Sequence, residues 1–311
     1  LYIFEWSCFE VWAYNLFIMK KGLCLLNAYL ILPGAEHFYE RMREEFSKIG
    51  IQLDRKTNAS ILSFIGSDGF LYSQQLGYDF VLYLDKDPYV SYSLEQAGSR
   101  LFNSARSIEL CDDKMLTHMA LSNHGIMMPK TISGPLNYSN DISYDFIHDL
   151  EQIIPFPMVA KDDFGSLGEA VFLLKNESDL VNFENVHKAN PRLFQEFITS
   201  SFGFDFRLIV IGGRYFAGMK RVNKNGDFRS NIACGGVGEK AIIPKEYIET
   251  AEKTAKILRL DYCGVDILEG PRKEPIVCEV NSNAFLSGIE KTTGKNVARA
   301  YAKYIKKRID N

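Results

Sequence analysis

The 311-residue chain reads as an α/β protein assembled from α+β lobes. Three observations carry that expectation. From Met19 onward, short apolar runs alternate with stretches of helical periodicity, the order of a βαβ series. In the middle, "FPMVAKDDFGSLGEAVFLL" is a strand, a glycine-bearing turn and a strand, the order of a hairpin. The last third is strand-rich and then helical. The length exceeds one minimal domain and suits two or three packed lobes.

Taken in order, "GLCLLNAY" is a first strand and "AEHFYERMREEFSKIG" a helix closed by Gly50. "IQLDRKT" is a second strand and "YDFVLYLDKD" a third, whose apolar run ends in Asp85, Lys86 and Asp87. These make a small parallel lobe over 19–103. No glycine fingerprint follows its first strand, which argues against an NAD domain. "SIELCDDKMLTHMALSNHGIMMPKT" is one helix, a stop at Gly125 and a strand heralded by Pro129. With the hairpin, the helix "ESDLVNFENVHKA" completes a central lobe over 104–192. The strand "RLFQEFI" follows, running across the start of the C-terminal lobe at 193–311. "FDFRLIVIGG" and "RYFAGMKRVN" form a hairpin turning at Gly212-Gly213. "PKEYIETAEKTAKILRL" is a helix with Pro244 near its start. "YCGVDILEG" and "EPIVCEVNS" are paired strands, and "GKNVARAYAKYIKKRI" is the last helix.

Residues 1–18 stand apart. "LYIFEWSCFEVWAYNLFI" holds both tryptophans, is broken by Glu5 and Glu10, and has no basic residue before it. Neither a spanning helix nor a signal peptide fits. A translated upstream extension is the leading explanation, and an amphipathic anchoring segment is the alternative.

Composition narrows the function classes. With 46% hydrophobic and 24% charged residues and a formal net charge of -3, the chain lacks the basic face of a nucleic-acid binder. The one basic run, Lys303 to Ile309, suits the end of a helix. Cys8, Cys24, Cys111, Cys234, Cys263 and Cys278 show no metal-binding spacing. Cys24, Cys263 and Cys278 lie in apolar strands as small hydrophobes, and the expected compartment is a reducing cytoplasm. His37, His118, His124, His148 and His187 fall on helices or loops without partners and receive no role.

The chemistry-bearing residues lie late in the chain. In "PIVCEVNSNAF", side chains two apart on a strand share a face, so Glu279 and Asn281 project together with Val277. Cys278 and Val280 then point the other way. Asp266, in "CGVDILEG", adds a third oxygen-bearing group if the strands are neighbours. Two carboxylates and a carboxamide, with no His or Cys, suit a hard cation such as Mg2+. Taken singly, each acid is more simply a polar residue on a solvated sheet face. Lys161 ends a strand before a turn bearing Gly165 and Gly168, where backbone N–H groups can cradle a phosphate. Arg207, Lys220, Arg221 and Arg229 gather nearby, as polyphosphate neutralisation requires.

Over roughly Asn103 to the end, "GFDFRLIVIGG", "NGDFRSN", "GVDIL", "CEVNSNA" and "GIEKTTGKNVA" resemble, in order and spacing, the RimK-like branch of the ATP-grasp carboxylate-amine (α-L-glutamate) ligases. The resemblance implies an ATP-grasp fold preceded by a parallel α/β lobe, with ATP between the central and C-terminal lobes. Position by position, it implies phosphate contacts from Lys114 and Lys161, adenine reading by the backbone at Glu196 and Phe197, and ribose contact from Asp205. Arg229, Ser230 and Asn231 would reach the phosphates and the reacting centre, with Arg207 and Arg221 also at family positions of catalytic character. Asp266, Glu279 and Asn281 would hold two Mg2+ ions, with Mn2+ as a substitute and Glu279 bridging. The implied chemistry is ADP-forming C–N ligation through an acylphosphate, joining an amino-acid donor to a carboxylate-bearing acceptor. The implied partners include no nucleic acid and no membrane, with a homo-oligomer allowed. Departures fall at Ala284 and Phe285, where the ribosomal-protein-modifying enzymes have proline and glycine, and at Cys234, where they have arginine. They point away from a ribosomal-protein substrate. A second enzyme reading keeps the chemistry and changes the acceptor to a cofactor tail, a small metabolite or a ribosomally made peptide cyclised through side chains. A non-catalytic nucleotide-binding regulator is the reading from a different class.

Overall fold

The computed structural model describes residues 19–29, 32–73, 77–165 and 170–311. The expectations for 1–18 and for Gly168 in the glycine turn lie outside the described residues.

The first lobe contains β1 (Lys20–Leu26), α1 (Pro33–Ser47), β2 (Ile51–Thr57), β3 (Ser63–Ile65), β4 (Leu71–Ser73), β5 (Phe80–Leu84), α2 (Pro88–Gln96) and β6 (Leu101–Phe102). Four of its strands form a parallel sheet in the order β2-β1-β5-β6. The fully buried Leu23–Leu26 run explains why β1 reads as continuously apolar rather than alternating. Between β2 and β5, where the reading placed no element, β3 and β4 pair as a separate antiparallel hairpin.

Next come α3 (Ala105–Asp112) and α4 (Lys114–Leu121). The single helix expected here is divided at Asp113. That residue is extended (φ -88°, ψ 111°), ends α3 and caps α4 by accepting the Leu116 N–H at 2.8 Å. The middle sheet is antiparallel, β7-β10-β8-β9, from β7 (Thr131–Ser133), β8 (Met158–Asp162), β9 (Val171–Leu174) and β10 (Arg192–Glu196). Helices α5 (Tyr144–Ile153) and α6 (Glu177–His187) cover it. Because β10 bonds to both β7 and β8, we propose a lobe boundary after Glu196 rather than Arg192.

The third sheet, β13-β12-β11-β14-β15, comprises β11 (Phe204–Ile211), β12 (Arg214–Asn223), β13 (Gly236–Glu239), β14 (Tyr262–Glu269) and β15 (Pro275–Asn281). Gly212 (φ 58°) and Gly213 (φ 71°) make the β11–β12 turn, the positive φ pair that a tight two-residue hairpin demands. Helix α7 (Lys245–Ile257) packs on one face. Helices α8 (Leu286–Thr293) and α9 (Val297–Asp310) pack with α1 of the first lobe. Phe38, Met42, Leu286, Ile289, Tyr301 and Ile305 share this core, which ties the chain's two ends together. The reading missed α8, on which most of the "GIEKTTG" motif lies.

Asn103 fastens this junction. It is 1% exposed, donates to the carbonyls of Tyr262 (2.8 Å) and Ser282 (2.9 Å), and accepts from the N–H groups of Asp261 and Tyr262. No described helix is long and apolar enough to cross a membrane.

Candidate active site

Strand pairing decides which charged side chains meet. On β11, Asp205 lies opposite Arg221 of β12, and Arg207 lies opposite Asp266 of β14. Both cross-strand pairs close as bidentate ion pairs. Arg221 donates through Nε to Asp205 at 2.7 Å and through its terminal nitrogen to the other oxygen, while Arg207 grips Asp266 at 2.7 and 2.6 Å. Arg221 also reaches Asp266 at 2.9 Å, joining the pairs into one network. Burial works against the Arg221 guanidinium, yet Asp205 and Asp266 outweigh it and raise its pKa. Burial likewise pushes the Asp266 carboxyl up, but Arg207 and Arg221 overcome it and hold the pKa below the usual carboxylate range.

Asp266 faces Glu279 on β15, and the ladder shifts register between Asp266 and Ile267, because Ile267 pairs with Val277. One residue of β15, Cys278, is therefore extra. This bulge overturns the expected alternation. Val277 turns into the core beside Val280, whereas Cys278 and Glu279 both line the cleft. Cys278 is thus not a core thiol. Its Sγ lies 3.7 Å from Lys161 Nζ, and burial raises its pKa despite that lysine. Among the described residues Glu279 makes no hydrogen bond or ion pair. Asn281 sits beyond Asp266, with Nδ2 3.5 Å from its carboxylate.

The cleft encloses about 910 Å³, its open mouth included, between the middle and C-terminal sheets. Lys114 and Lys161 enter from one side, Glu196 and Phe197 from the strand end, and Arg229, Ser230 and Asn231 from the β12–β13 connection. Asp205, Arg221, Asp266 and Glu279 form the floor. Of the basic, acidic and amide residues singled out for phosphate and metal chemistry, Arg207, Lys220 and Asn281 do not line it; Arg207 and Asn281 stand behind Asp266, and Lys220 lies over the Phe204 ring.

The local structure adds detail. Lys114 is held over the cleft by the carbonyls of Asp162, Asp163 and Gly165 at 3.1 to 3.2 Å, and burial lowers its pKa while Glu279 opposes the shift. The Glu196 N–H is already taken by the Lys130 carbonyl at 2.9 Å, so adenine reading there would fall to its carbonyl and to Phe197. Asp205 is 5% exposed and spends both oxygens on Arg221, leaving only an edge toward a ribose. Arg229 pairs with Asp227 at 2.7 Å. The loop after it is clamped by Asn223, whose Nδ2 donates to the carbonyls of Arg229 and Cys234, both at 2.9 Å.

Two histidines have partners, contrary to expectation. His118 is buried, with Nε2 2.8 Å from Gln195 Nε2; burial and then Lys161 lower its pKa to about 4, so it accepts this bond as a neutral ring. His187 meets Asp162 at 2.8 Å and stacks on Phe183. Sequence reasoning also missed Phe228, Val159 and Leu268 as apolar walls of the cleft, since isolated apolar residues carry no pattern of their own.

Residues 111–305, more than half of the chain, match the RimK-like ATP-grasp domain. The chain belongs to that family. Among curated relatives, it is 34% identical over 222 residues to human beta-citrylglutamate synthase B, covering 71% of this chain and 56% of that protein. It is 39% identical over 217 residues to a probable alpha-L-glutamate ligase of Teredinibacter turnerae, covering 68% and 69%. The chain thus spans little more than half the length of the first of these relatives. A solved structure of the ATP-grasp ligase PsnB, complexed with minimal precursor, Mg and ADP, superposes with a TM-score of 0.66 over 93% of this chain and 98% of that one, at 17% identity. A RimK domain protein from Sphaerobacter thermophilus gives 0.69 over 91% and 98%, at 18% identity. These likenesses establish the ATP-grasp fold.

ATP-grasp ligases use ATP and Mg, a hard cation that asks for oxygen donors. The described residues contain no cluster of three His, Cys, Asp or Glu side chains able to hold a metal. What they offer is the Asp266 and Glu279 carboxylates with the Asn281 carboxamide, an all-oxygen set that suits Mg2+ and would need phosphate or water oxygens to complete its shell. The unpaired Glu279 is the member with charge to spare.

Proposed function

We propose that the chain is an ADP-forming carboxylate-amine ligase that joins an amino acid, such as glutamate, to a carboxylate-bearing acceptor. The observation that carries the reading is Glu279, whose carboxylate has no hydrogen-bond or ion-pair partner among the described residues, in a cleft that also holds Lys114, Lys161, Arg221 and Arg229. Lys114 and Lys161, in no ion pair among the described residues, suit a polyphosphate, and the Glu279 carboxylate opposite Asp266 suits the cation that accompanies it. Lys114, Lys161, Arg229, Ser230 and Asn231 would hold the phosphates. The backbone at Glu196 and Phe197 would hold adenine, and Asp205 the ribose edge. Asp266, Glu279 and Asn281 would hold two Mg2+ ions or Mn2+. Cations held there would supply positive charge against the repulsion between the triphosphate and an incoming carboxylate.

The acceptor carboxylate takes the γ-phosphoryl group from ATP, giving an acylphosphate and ADP. The donor's ammonium first gives one proton to solvent; the amine then attacks the acyl carbon, phosphate leaves with the bonding electrons, and a second proton passes to solvent. Arg207 and Arg221 act through Asp266, fixing its carboxylate. Water must be kept from the acylphosphate. Cys24, Cys111, Cys263 and Cys278 are free thiols, which supports a cytoplasmic setting.

ADP release measured against a panel of amino acids and carboxylates, with mass spectrometry of the product, tests the reading. Amine-dependent release is expected, and its loss in Glu279→Ala with the fold retained. Release indifferent to every substrate favours a nucleotide-binding regulator, and full activity in Glu279→Ala removes the metal assignment.

A further inference from the structure

The parallel sheet of the first lobe has a topological switch point. From β1 the chain passes to β2 on one side and then crosses back to β5 on the other. In open α/β sheets, ligands bind outside the carboxyl ends of the strands at such a point. Here the strand ends are polar. Asn27 follows β1, Asn58 follows β2 and Asp85 follows β5. Asn27 Nδ2 bridges the switch to Asp85 Oδ1 at 3.2 Å, and Asn58 Oδ1 accepts the Ala28 N–H at 2.9 Å.

Asp85 is the odd member. It is 8% exposed, Oδ1 also accepts the Lys86 N–H at 2.8 Å, and Oδ2 is buried with no hydrogen-bond partner among the described residues. A buried carboxylate oxygen without a donor is costly, and a native fold retains one for a reason beyond packing. The reason is suggested by what lies opposite. The Asp85 carbonyl accepts from Asn283 Nδ2 at 3.3 Å, and Asn283 is two residues past Asn281 on the segment leaving β15. That segment is pinned from behind by Asn103 at Ser282 and by the Tyr262 hydroxyl at the Ala284 carbonyl, 2.7 Å. Phe285 then packs so closely on Gly34 of α1 that a Cβ there would come within 2.4 Å of its ring. The switch point therefore abuts the end of the strand carrying Glu279 and Asn281, and the lobes meet across Asp85.

We infer that Asp85 anchors the ammonium group of the amine-bearing substrate, in a subsite formed where the first lobe's switch point meets Asn283. This rests on the ligase reading and assigns one substrate to one lobe: nucleotide and cations in the cleft, the amine at the first lobe's edge. A cationic donor supplies what Oδ2 lacks, and Asn27 and the Lys86 N–H hold the carboxylate on its other oxygen. Asp85 is a binding residue and takes no part in phosphoryl transfer.

The test compares L-glutamate with glutarate, which lacks the amine, by calorimetric binding to the full chain loaded with Mg2+ and ADP. Wild type is expected to favour L-glutamate on the order of tenfold or more, and Asp85→Asn to bring the ratio near one, with the affinity for ADP unchanged. In turnover, Asp85→Asn raises KM for the amino acid and leaves KM for ATP alone. Because the substitution removes an unmet buried charge, its urea midpoint does not fall. An unchanged binding ratio in Asp85→Asn, or equal binding of the two acids by wild type, overturns the inference. Failure of the ligase reading appears separately, as wild-type ADP release that no amino acid stimulates.

Discussion

Replacing Arg221 with methionine exposes how the cleft floor is held. Arg221 is 2% exposed and is the ion-pair partner of Asp205, itself 5% exposed, as well as the second partner of Asp266. Methionine keeps much of the side chain's length and removes every donor. Asp266 retains its bidentate grip from Arg207, but Asp205 is left buried without a cation. Removing one member of a buried pair costs roughly 3–5 kcal/mol, most of it the penalty on the charge left behind. With a urea m-value near the upper end of the usual range, about 3 kcal/mol/M, the midpoint should fall by about 1 to 1.7 M. The cause is isolated by adding Asp205→Asn to the Arg221→Met background. Neutralising the stranded carboxylate should recover on the order of 2 kcal/mol, so the double variant is more stable than the single one. Urea unfolding followed by circular dichroism reads both. A midpoint shift below about 0.3 M, or losses that simply add, would refute the account of a buried, mutually dependent network.

Two further outcomes follow from groups at the cleft's edge. Burial, and after it Asp113, raises the Asp163 carboxyl to about 6, and one of its oxygens is buried without a partner among the described residues. A carboxyl raised in the folded state favours folding when protonated and costs stability as pH climbs through that value; against 3.8 unfolded, the cost above pH 6 is roughly 3 kcal/mol. Asp163→Asn should therefore unfold later than wild type at pH 8, and the gap should close by about pH 4; a gap that is constant with pH would contradict it. At Gly236, an added Cβ would lie 1.9 Å from the Ser230 carbonyl oxygen. Gly236→Ala must displace the Arg229–Asn231 loop and should lower kcat/KM for ATP on the order of 100-fold, whereas unchanged kinetics would show that the loop does not position the phosphates.

Much of this architecture was legible in the chain because it rests on local rules. Paired glycines between two apolar runs announce the β11–β12 turn, and its φ values agree. The pairing of Asp266 with Glu279 follows from two odd polar residues on adjacent strands. What escaped reading depends on non-local facts. Strict alternation put Cys278 in the core, and only the register against β14 reveals the extra residue that turns it into the cleft. Asp113 looks like one more polar residue on a helix until its extended backbone shows it capping α4. Asn103 and Asn58 carry no sequence pattern, since their partners lie in other elements or in the following turn. The apolar β3–β4 segment lies where a crossover helix is the usual expectation for parallel strands.

The network around Asp266 also bears on how activity data should be read. Its carboxylate is shared by Arg207 and Arg221 and is proposed to serve a cation as well. Two guanidiniums already compensate its charge, so a metal there would bind weakly on that ligand alone. The unpaired Glu279 opposite supplies the uncompensated charge, which makes it the stronger determinant of cation affinity, with Asp266 fixing geometry. Glu279 has no partner to strand, so its removal should cost activity and little stability. Changes at Arg207, Arg221 or Asp205 act on activity through a fold they also support. An inactive Arg221 variant therefore speaks to catalysis only when its folded fraction is known, whereas an inactive Glu279 variant speaks to it directly.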